Sequence, residues 1–333
     1  MKYWGLLLLA ACYAPRLGTG SPCSEGPCPA GLVCSPASQT CELVAVDAAV
    51  NVAIDAPIDG VASPVGPPND TAGGAIDISG GGTFTASLDG AHDDAPNNGC
   101  GGQGGLDVFY TITLGANEVV YFDTFGSSFA TVLRIYPGKS CANLANQLLC
   151  NEAACSGAQS QLATQLPSGT SCVVVDQKAD EATTALTLHV KRGGRAGSRL
   201  GTGAQTLTGD SCANGTNATA APGTCVSGDD NTAKDLAYFF TVCPATTMHL
   251  DATTCADPTQ THFDTVMYLG QAGGASLACE DDDSTCGPRT ERPDKGDGSI
   301  LRAVATTGPG LFWLTVDGYN GQCGGYQLVT NLQ

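Results

Sequence analysis

The sequence predicts an all-β protein: two tandem antiparallel β-sandwiches behind a small disulfide-rich module and a disordered stalk. Three observations carry this. One set of strand-like blocks is written twice in the same order. Apolar residues in those blocks alternate, as on half-buried strands, and do not recur at helical spacing. Gly (44) and Pro (18) are abundant while charged residues make up 14%, a composition of short strands and many turns.

The repeat is read from four blocks. DVFYTITL at 107–114 matches DLAYFFTV at 235–242, an offset of 235 − 107 = 128. FATVLRIY at 129–136 matches FDTVMYLG at 263–270, an offset of 263 − 129 = 134. LLCNEAAC at 148–155 matches LACEDDDSTC at 277–286, and CVVVD at 172–176 matches WLTVD at 313–317. A solenoid would repeat every 20–50 residues, so this is a domain written twice. Residues that stay apolar on one face in both copies should form the cores. Val108, Tyr110, Ile112 and Leu114 match Leu236, Tyr238, Phe240 and Val242. Phe129, Leu133 and Ile135 match Phe263, Met267 and Leu269, and Val173 and Val175 match Leu314 and Val316.

A net charge of −18 disfavours tracking a phosphate backbone, so nucleic acid is not an expected partner. The 17 Cys point to an oxidising compartment. The odd count is resolved at the N-terminus. MKYWGLLLLAAC has one Lys, then an apolar run far below the about 20 residues that span a bilayer, and reads as a signal peptide. Its end, Leu9-Ala10-Ala11-Cys12, resembles the bacterial lipobox. That resemblance implies cleavage before Cys12 and acylation of its sulfur, with outer-membrane lipid as partner. Two or three acyl chains anchor durably at ~0.8 kcal/mol per buried methylene. The rival is an ordinary export signal with an accidental Cys. Removing Cys12 leaves 17 − 1 = 16 cysteines, an even number. By resemblance to enterobacterial sorting rules, Tyr13 in place of Asp implies an exported protein on the outer membrane, at the cell surface or facing the periplasm.

The expected organisation is a signal peptide at 1–11, a lipidated tether at 12–22, a four-Cys module at 23–41 and an Ala/Asp/Pro-rich linker at 42–68. Sandwich 1 follows at 69–192, a Gly/Arg linker at 193–201 and sandwich 2 at 202–333. Cys23, Cys28, Cys34 and Cys41 lie too close together for an apolar core, so two disulfides must hold the module. Three connectivities are open. Zinc is the rival, but the spacing lacks a Cys-x2-Cys knuckle. The stretch resembles short modules that follow the lipid anchor of bacterial surface lipoproteins.

GSSFATVLRI at 126–135 in the first copy resembles the bacterial pre-peptidase C-terminal domain. So do FDTVMYL, CEDDD and GLFWLTVDGYNGQCGGYQL in the second. The likeness covers roughly 69–192 and 202–333 and implies a jelly-roll sandwich. Such domains commonly trail secreted peptidases. No peptidase motif is present, neither His-Glu-x-x-His nor Gly-x-Ser-x-Gly. His92 falls in a loop, and His189, His249 and His262 fall on or beside strands.

Five Cys fall in the first copy and seven in the second, so either one bridge joins the domains, or each holds a free thiol, or the count near the linker is uneven. Cys141–Cys150 and Cys279–Cys286 are the candidate local pairs. No cofactor is required. Asp264, Glu280, Asp281, Asp282 and Asp283 could supply oxygen ligands to Ca2+. The rival is a solvated acidic turn, since successive strand side chains point to opposite faces. The first copy has Ala130 in place of Asp264 and Asn151-Glu152 in place of the acidic run. DDNTAKDLAYFF lacks the Gly and the final acid of an EF-hand loop. The sequons of NGTNAT read as a polar loop. Trp313 sits opposite Leu314 and Val316, where the first copy has Cys172, and is the candidate ligand contact; packing under a loop is its rival.

These features favour a non-enzymatic surface lipoprotein whose two sandwiches bind an extracellular glycan or protein. The alternatives are a structural envelope component, or an accessory subunit of a secreted hydrolase.

Overall fold

The computed structural model describes residues 23, 28, 32–35, 39–43, 65–96, 100–101, 104–144, 149–179, 181–219, 221–222, 225–226, 232–257, 259–287 and 298–333. The expected signal segment, Cys12 and most of the expected stalk lie outside the described residues. The chain forms two compact units, 1–61 and 62–333. In the first, β1 (Leu32–Cys34) pairs antiparallel with β2 (Cys41–Leu43). Disulfides Cys23–Cys34 and Cys28–Cys41 interleave across this hairpin, one of the three connectivities open from sequence.

The second unit holds both sandwiches. The strands of the first are β3 (Ile76–Asp77), β4 (Gly82–Ser87), β5 (Asp107–Leu114), β6 (Glu118–Asp123), β7 (Thr131–Tyr136), β8 (Leu149–Asn151), β9 (Gln161–Leu166), β10 (Gly169–Gln177) and β11 (Ala185–Arg192). The strands of the second are β12 (Ser198–Arg199), β13 (Gly203–Asp210), β14 (Leu236–Val242), β15 (Thr247–Thr253), β16 (Thr265–Gln271), β17 (Ser276–Glu280), β18 (Ile300–Thr307), β19 (Gly310–Gly318) and β20 (Gly325–Leu332). Each sandwich packs a five-stranded front sheet on a four-stranded back sheet. The front sheets run β3-β5-β10-β7-β8 and β12-β14-β19-β16-β17; the back sheets run β4-β11-β6-β9 and β13-β20-β15-β18. The two orders superpose strand for strand. Even the short parallel edge is repeated, with Ile76 opposite Tyr110 and Ser198 opposite Tyr238. Because β12 belongs to the second sheet, the connecting segment is 193–197, shorter than the expected 193–201.

The alternating residues meet inside as expected. Val108, Tyr110, Ile112, Phe129, Leu133, Ile135, Val173 and Val175 share one core. Tyr238, Phe240, Phe263, Met267, Leu269, Leu314 and Val316 share the other, with Leu236 packed at its margin.

The outer faces of the front sheets are also buried, which alternation alone does not predict. In sandwich 1, Phe109, Tyr136, Cys172 and Val174 are covered by a loop pinned through Cys141–Cys172. In sandwich 2, Trp313 occupies the position of Cys172, and the covering body is sandwich 1 itself. Val119, Tyr121 and Ala163 of its back sheet bury against Ala237, Phe239, Leu311 and Trp313. Phe239 meets Trp313 edge-on at 5.9 Å. Cys155–Cys243 closes the junction covalently and is the inter-domain bridge among the alternatives that the odd counts left open. Gln161 Nε2 donates across it to the Val242 carbonyl at 3.1 Å.

The expected local pairs are corrected. Cys141 is buried over the front sheet and bonds Cys172, not Cys150. Cys150 sits on edge strand β8, and Cys279 at the matching place on β17. Each is tied to the loop preceding β5 or β14, through Cys100–Cys150 and Cys225–Cys279. Cys286 returns to Cys255, and Cys212 bonds Cys323. Proximity in sequence misled here, because edge strands are held by loops from across the sheet.

Each front sheet also buries acids. Asp107 and Asp176 are opposed on β5 and β10, and Asp235 and Asp317 take the same places in the second copy. Asp107 Oδ2 accepts the N–H groups of Asp94 and Ala95 at 2.8 Å, and Asp235 Oδ2 accepts those of Ala218 and Thr219 at 3.0 and 3.2 Å. The charge is compensated differently. In sandwich 1, fully buried Arg134 pairs with Asp176. In sandwich 2, Tyr268 stands at that position, and Arg195 from the connecting segment comes within 3.7 Å of Asp235.

Burial pushes Asp107 up to about 7, helped by the charge of Asp176 and opposed by its backbone donors. Burial likewise raises Asp176 to about 6, against the pull of Arg134. Both values are raised in the fold, so this contribution is complete below the unfolded value near ~4 and is lost as pH rises through 6 to 7. Denaturation at pH 5 and pH 8 should show that loss. Asp107→Asn should flatten it, adding about 1 kcal/mol at pH 8; an unchanged pH profile would refute the assignment. At the junction, a Cβ on Gly197 would lie 2.5 Å from the Trp313 ring and 2.9 Å from the Ala237 carbonyl. Gly197→Ala should cost about 1–3 kcal/mol by overpacking, and Trp313→Ala about 3–5 kcal/mol, read as lowered denaturation midpoints.

Candidate functional site

The acidic run follows β17, and Asp264 precedes β16. Pairing of Met267 with Glu280 brings the end of one strand beside the start of the other. Ser299 then fixes the turn, its hydroxyl donating to the carbonyls of Asp281 (3.0 Å) and Thr265. Thr254 and Thr265 share a hydroxyl bond of 2.7 Å under the same turn. The result gathers Asp264, Asp281 and Asp282, each with a carboxylate oxygen within 4.8 Å of the others. Asp264 is buried and Asp282 exposed.

The five-residue set expected from sequence is therefore reduced to three. Asp283 turns away and is claimed by Arg302 and by Thr285, whose N–H it accepts at 2.8 Å. These bonds hold its carboxyl well below the usual carboxylate range. Glu280 ends β17, within reach of the Arg302 charge, and does not join the group. Three carboxylates from two chain segments match the oxygen chemistry of Ca2+. The first copy keeps the hydroxyl scaffold, with Thr124, Thr131 and Ser160 bonded to one another, but offers Ala130 and Asn151. This scaffold was not singled out from sequence. Its signal was the recurrence of Thr and Ser at offsets of 130, 134 and 139, as 254 − 124, 265 − 131 and 299 − 160.

A second polar group lies at the start of sandwich 1. Asp70, His92 and Asp94 also bring ligand atoms within 4.8 Å of one another. His92 Nδ1 lies 2.8 Å from Asp70 Oδ2, and that bond and charge raise its pKa. His189 lies on β11, 2.7 Å from Asp123, and His249 lies on β15.

Trp313 is corrected. It is 5% exposed and packs in the junction, so it offers no open aromatic platform. Its placement on the face opposite Leu314 and Val316 was read rightly; the cover was not, because it comes from the other sandwich. The Arg195 guanidinium lies 4.5 Å over its ring. Arg195 also donates to Thr219 Oγ1 at 2.6 Å and Thr315 Oγ1 at 2.8 Å. Beside this pair opens a cleft of about 240 Å³, lined by Arg195, Thr219, Tyr268, Gln271, Ser276 and Trp313, with glycines of the connecting segment and the β16–β17 turn.

No family model matches the chain. No curated protein matches it. Among solved structures it is similar to the pre-peptidase C-terminal domain of a collagenase from Bacillus anthracis, at 13% identity over 42% of this chain and 96% of that one, TM-score 0.24. It is also similar to PliG of Aeromonas hydrophila, a periplasmic inhibitor of g-type lysozyme, at 10% identity over 41% and 96%, TM-score 0.23. The K3 adhesin domain of Lys-gingipain from Porphyromonas gingivalis matches at 16% identity over 34% and 94%, TM-score 0.20. Scores of this size carry no argument about activity, and the all-β sandwich assignment rests on the strand order itself.

Proposed function

We propose that this is a non-enzymatic, lipid-anchored surface protein that displays two β-sandwich binding modules to glycan or envelope and matrix ligands. One combination carries the reading. A lipobox-like leader ends at Cys12, and the folded body holds its other 17 − 1 = 16 cysteines in disulfides. Disulfides at this density belong to exported proteins. Acyl chains on Cys12 would hold the chain to the outer membrane, and the stalk would lift the sandwiches away from it. A rigid scaffold with loops at its ends suits recognition. Calcium held by Asp264, Asp281 and Asp282 forms part of the proposal, as an ion that orders the acidic loop of sandwich 2.

Metabolic labelling with palmitate tests the anchor. Label should enter the wild-type protein and be absent from Cys12→Ser, which should leave the membrane fraction; equal labelling of both would overturn the anchor. A glycan and envelope-polymer array, probed with residues 42–333 in calcium and in chelator, tests the binding role. Binding should appear in calcium and fall in chelator, and silence in both conditions would refute the glycan reading. Calorimetric titration with Ca2+ tests the loop. Asp264→Asn should weaken binding about tenfold or more, a loss of about 1.4 kcal/mol. Asp283→Asn should leave the affinity unchanged, because Arg302 already holds that carboxylate.

A further inference from the structure

We propose that the cleft at the sandwich junction is a subsite for a small carboxylate-bearing ligand, the size of one uronic-acid sugar. This deepens the glycan reading above and rests on it. The cleft has room for about eight waters at ~30 Å³ each, enough for one sugar ring. Sites of this kind favour domain junctions, where a few convergent polar groups fix a ligand among apolar walls.

Arg195 presents a guanidinium that has spent one bond each from its terminal nitrogens on Thr219 and Thr315. Gln271 brings an amide, while the hydroxyls of Ser276, Thr219 and Tyr268 are bonded within the protein. The indole Nε1–H of Trp313 is buried with no protein acceptor, which is costly for a group of this kind. Among the described residues lining the cleft there is no carboxylate. Buried Asp235 and Asp317 both act on the Arg195 charge.

A second cation reaches the rim. The Lys191 stem passes over Gly273, where a Cβ would sit 3.4 Å from its Cε. Gly273 has φ of +68°, so the turn takes glycine there, and no side chain closes the mouth. The Lys191 ammonium and the remaining Arg195 N–H groups face an opening lined, among the described residues, by no carboxylate, and this local field selects an acceptor-rich anion over a neutral ligand. Lys191 comes from sandwich 1, Arg195 from the connecting segment, and Trp313, Tyr268 and Ser276 from sandwich 2. The subsite therefore exists in the stacked pair and not in either sandwich alone.

Trp4 and Trp313 are the chain's 2 tryptophans. In the full chain carrying Trp4→Phe, Trp313 is the sole indole and reports the cleft directly. The experiment titrates this protein with sodium glucuronate, glucose and sodium acetate at constant ionic strength. It reads Trp313 fluorescence and the indole N–H resonance. Glucuronate should give a saturable change at roughly 1 mM, with glucose and acetate each about tenfold weaker or more. Lys191→Gln should weaken glucuronate about threefold with an unchanged denaturation midpoint. No response to glucuronate, or equal responses to all three solutes, would overturn the subsite. Array binding that persists while Trp313 stays silent would remove this site and leave the binding-module reading standing.

Discussion

Arg195 is the contact on which the arrangement of the two sandwiches depends. It leaves the short segment between them and enters the front sheet of the second. There it stacks on Trp313 and comes within 3.7 Å of Asp235. Buried acids need a cation, because an isolated carboxylate in an apolar medium is strongly disfavoured. Sandwich 1 answers that need within its own sheet, with Arg134 on β7. Sandwich 2 has Tyr268 at the same place and borrows its cation from the connecting segment. One substitution in a repeat thus makes the second domain's interior dependent on the chain that joins it to the first.

The same logic closes the stack at two. Trp313 and Cys172 are one position in two copies. The cysteine ties a loop over its sheet, and the tryptophan leaves the face to be covered by a neighbour. On the other side, Val119, Tyr121 and Ala163 of sandwich 1 make an apolar patch for that face. Their counterparts in sandwich 2 are His249, Asp251 and Arg302, all exposed. Burying those three against a further sheet would strip water from polar and charged side chains. The apolar complement exists at the junction alone, where Cys155–Cys243 also crosses.

Cross-links and hydroxyl networks share the remaining work. In both copies a disulfide fastens the front-sheet edge strand to the loop ahead of the second strand of that sheet, blunting an edge that could otherwise pair with another chain. In both copies a Thr-Thr-Ser cluster holds the turn after that edge strand. What differs is the chemistry mounted on the scaffold. Asp264 and Asp281–Asp282 replace Ala130 and the Asn151-Glu152 turn, so among the described residues one copy gathers three carboxylates and the other does not.

The sequence by itself determined the sandwich class, the twofold repeat and the inward faces. Strand alternation is local, and each apolar residue shared by both copies reports its own side of its own sheet. It also implied, by parity, that a disulfide could cross between domains. The tertiary structure decided what alternation cannot carry: which loop or domain covers the outward faces, which cysteines meet, and which of five neighbouring acids converge. Trp313 shows the reason. Its sequence neighbours place it on the outer face, and nothing local says that another sandwich lies there. Burial on that face depends on chain more than a hundred residues away, brought in by Arg195, Phe239 and the Cys155–Cys243 bridge.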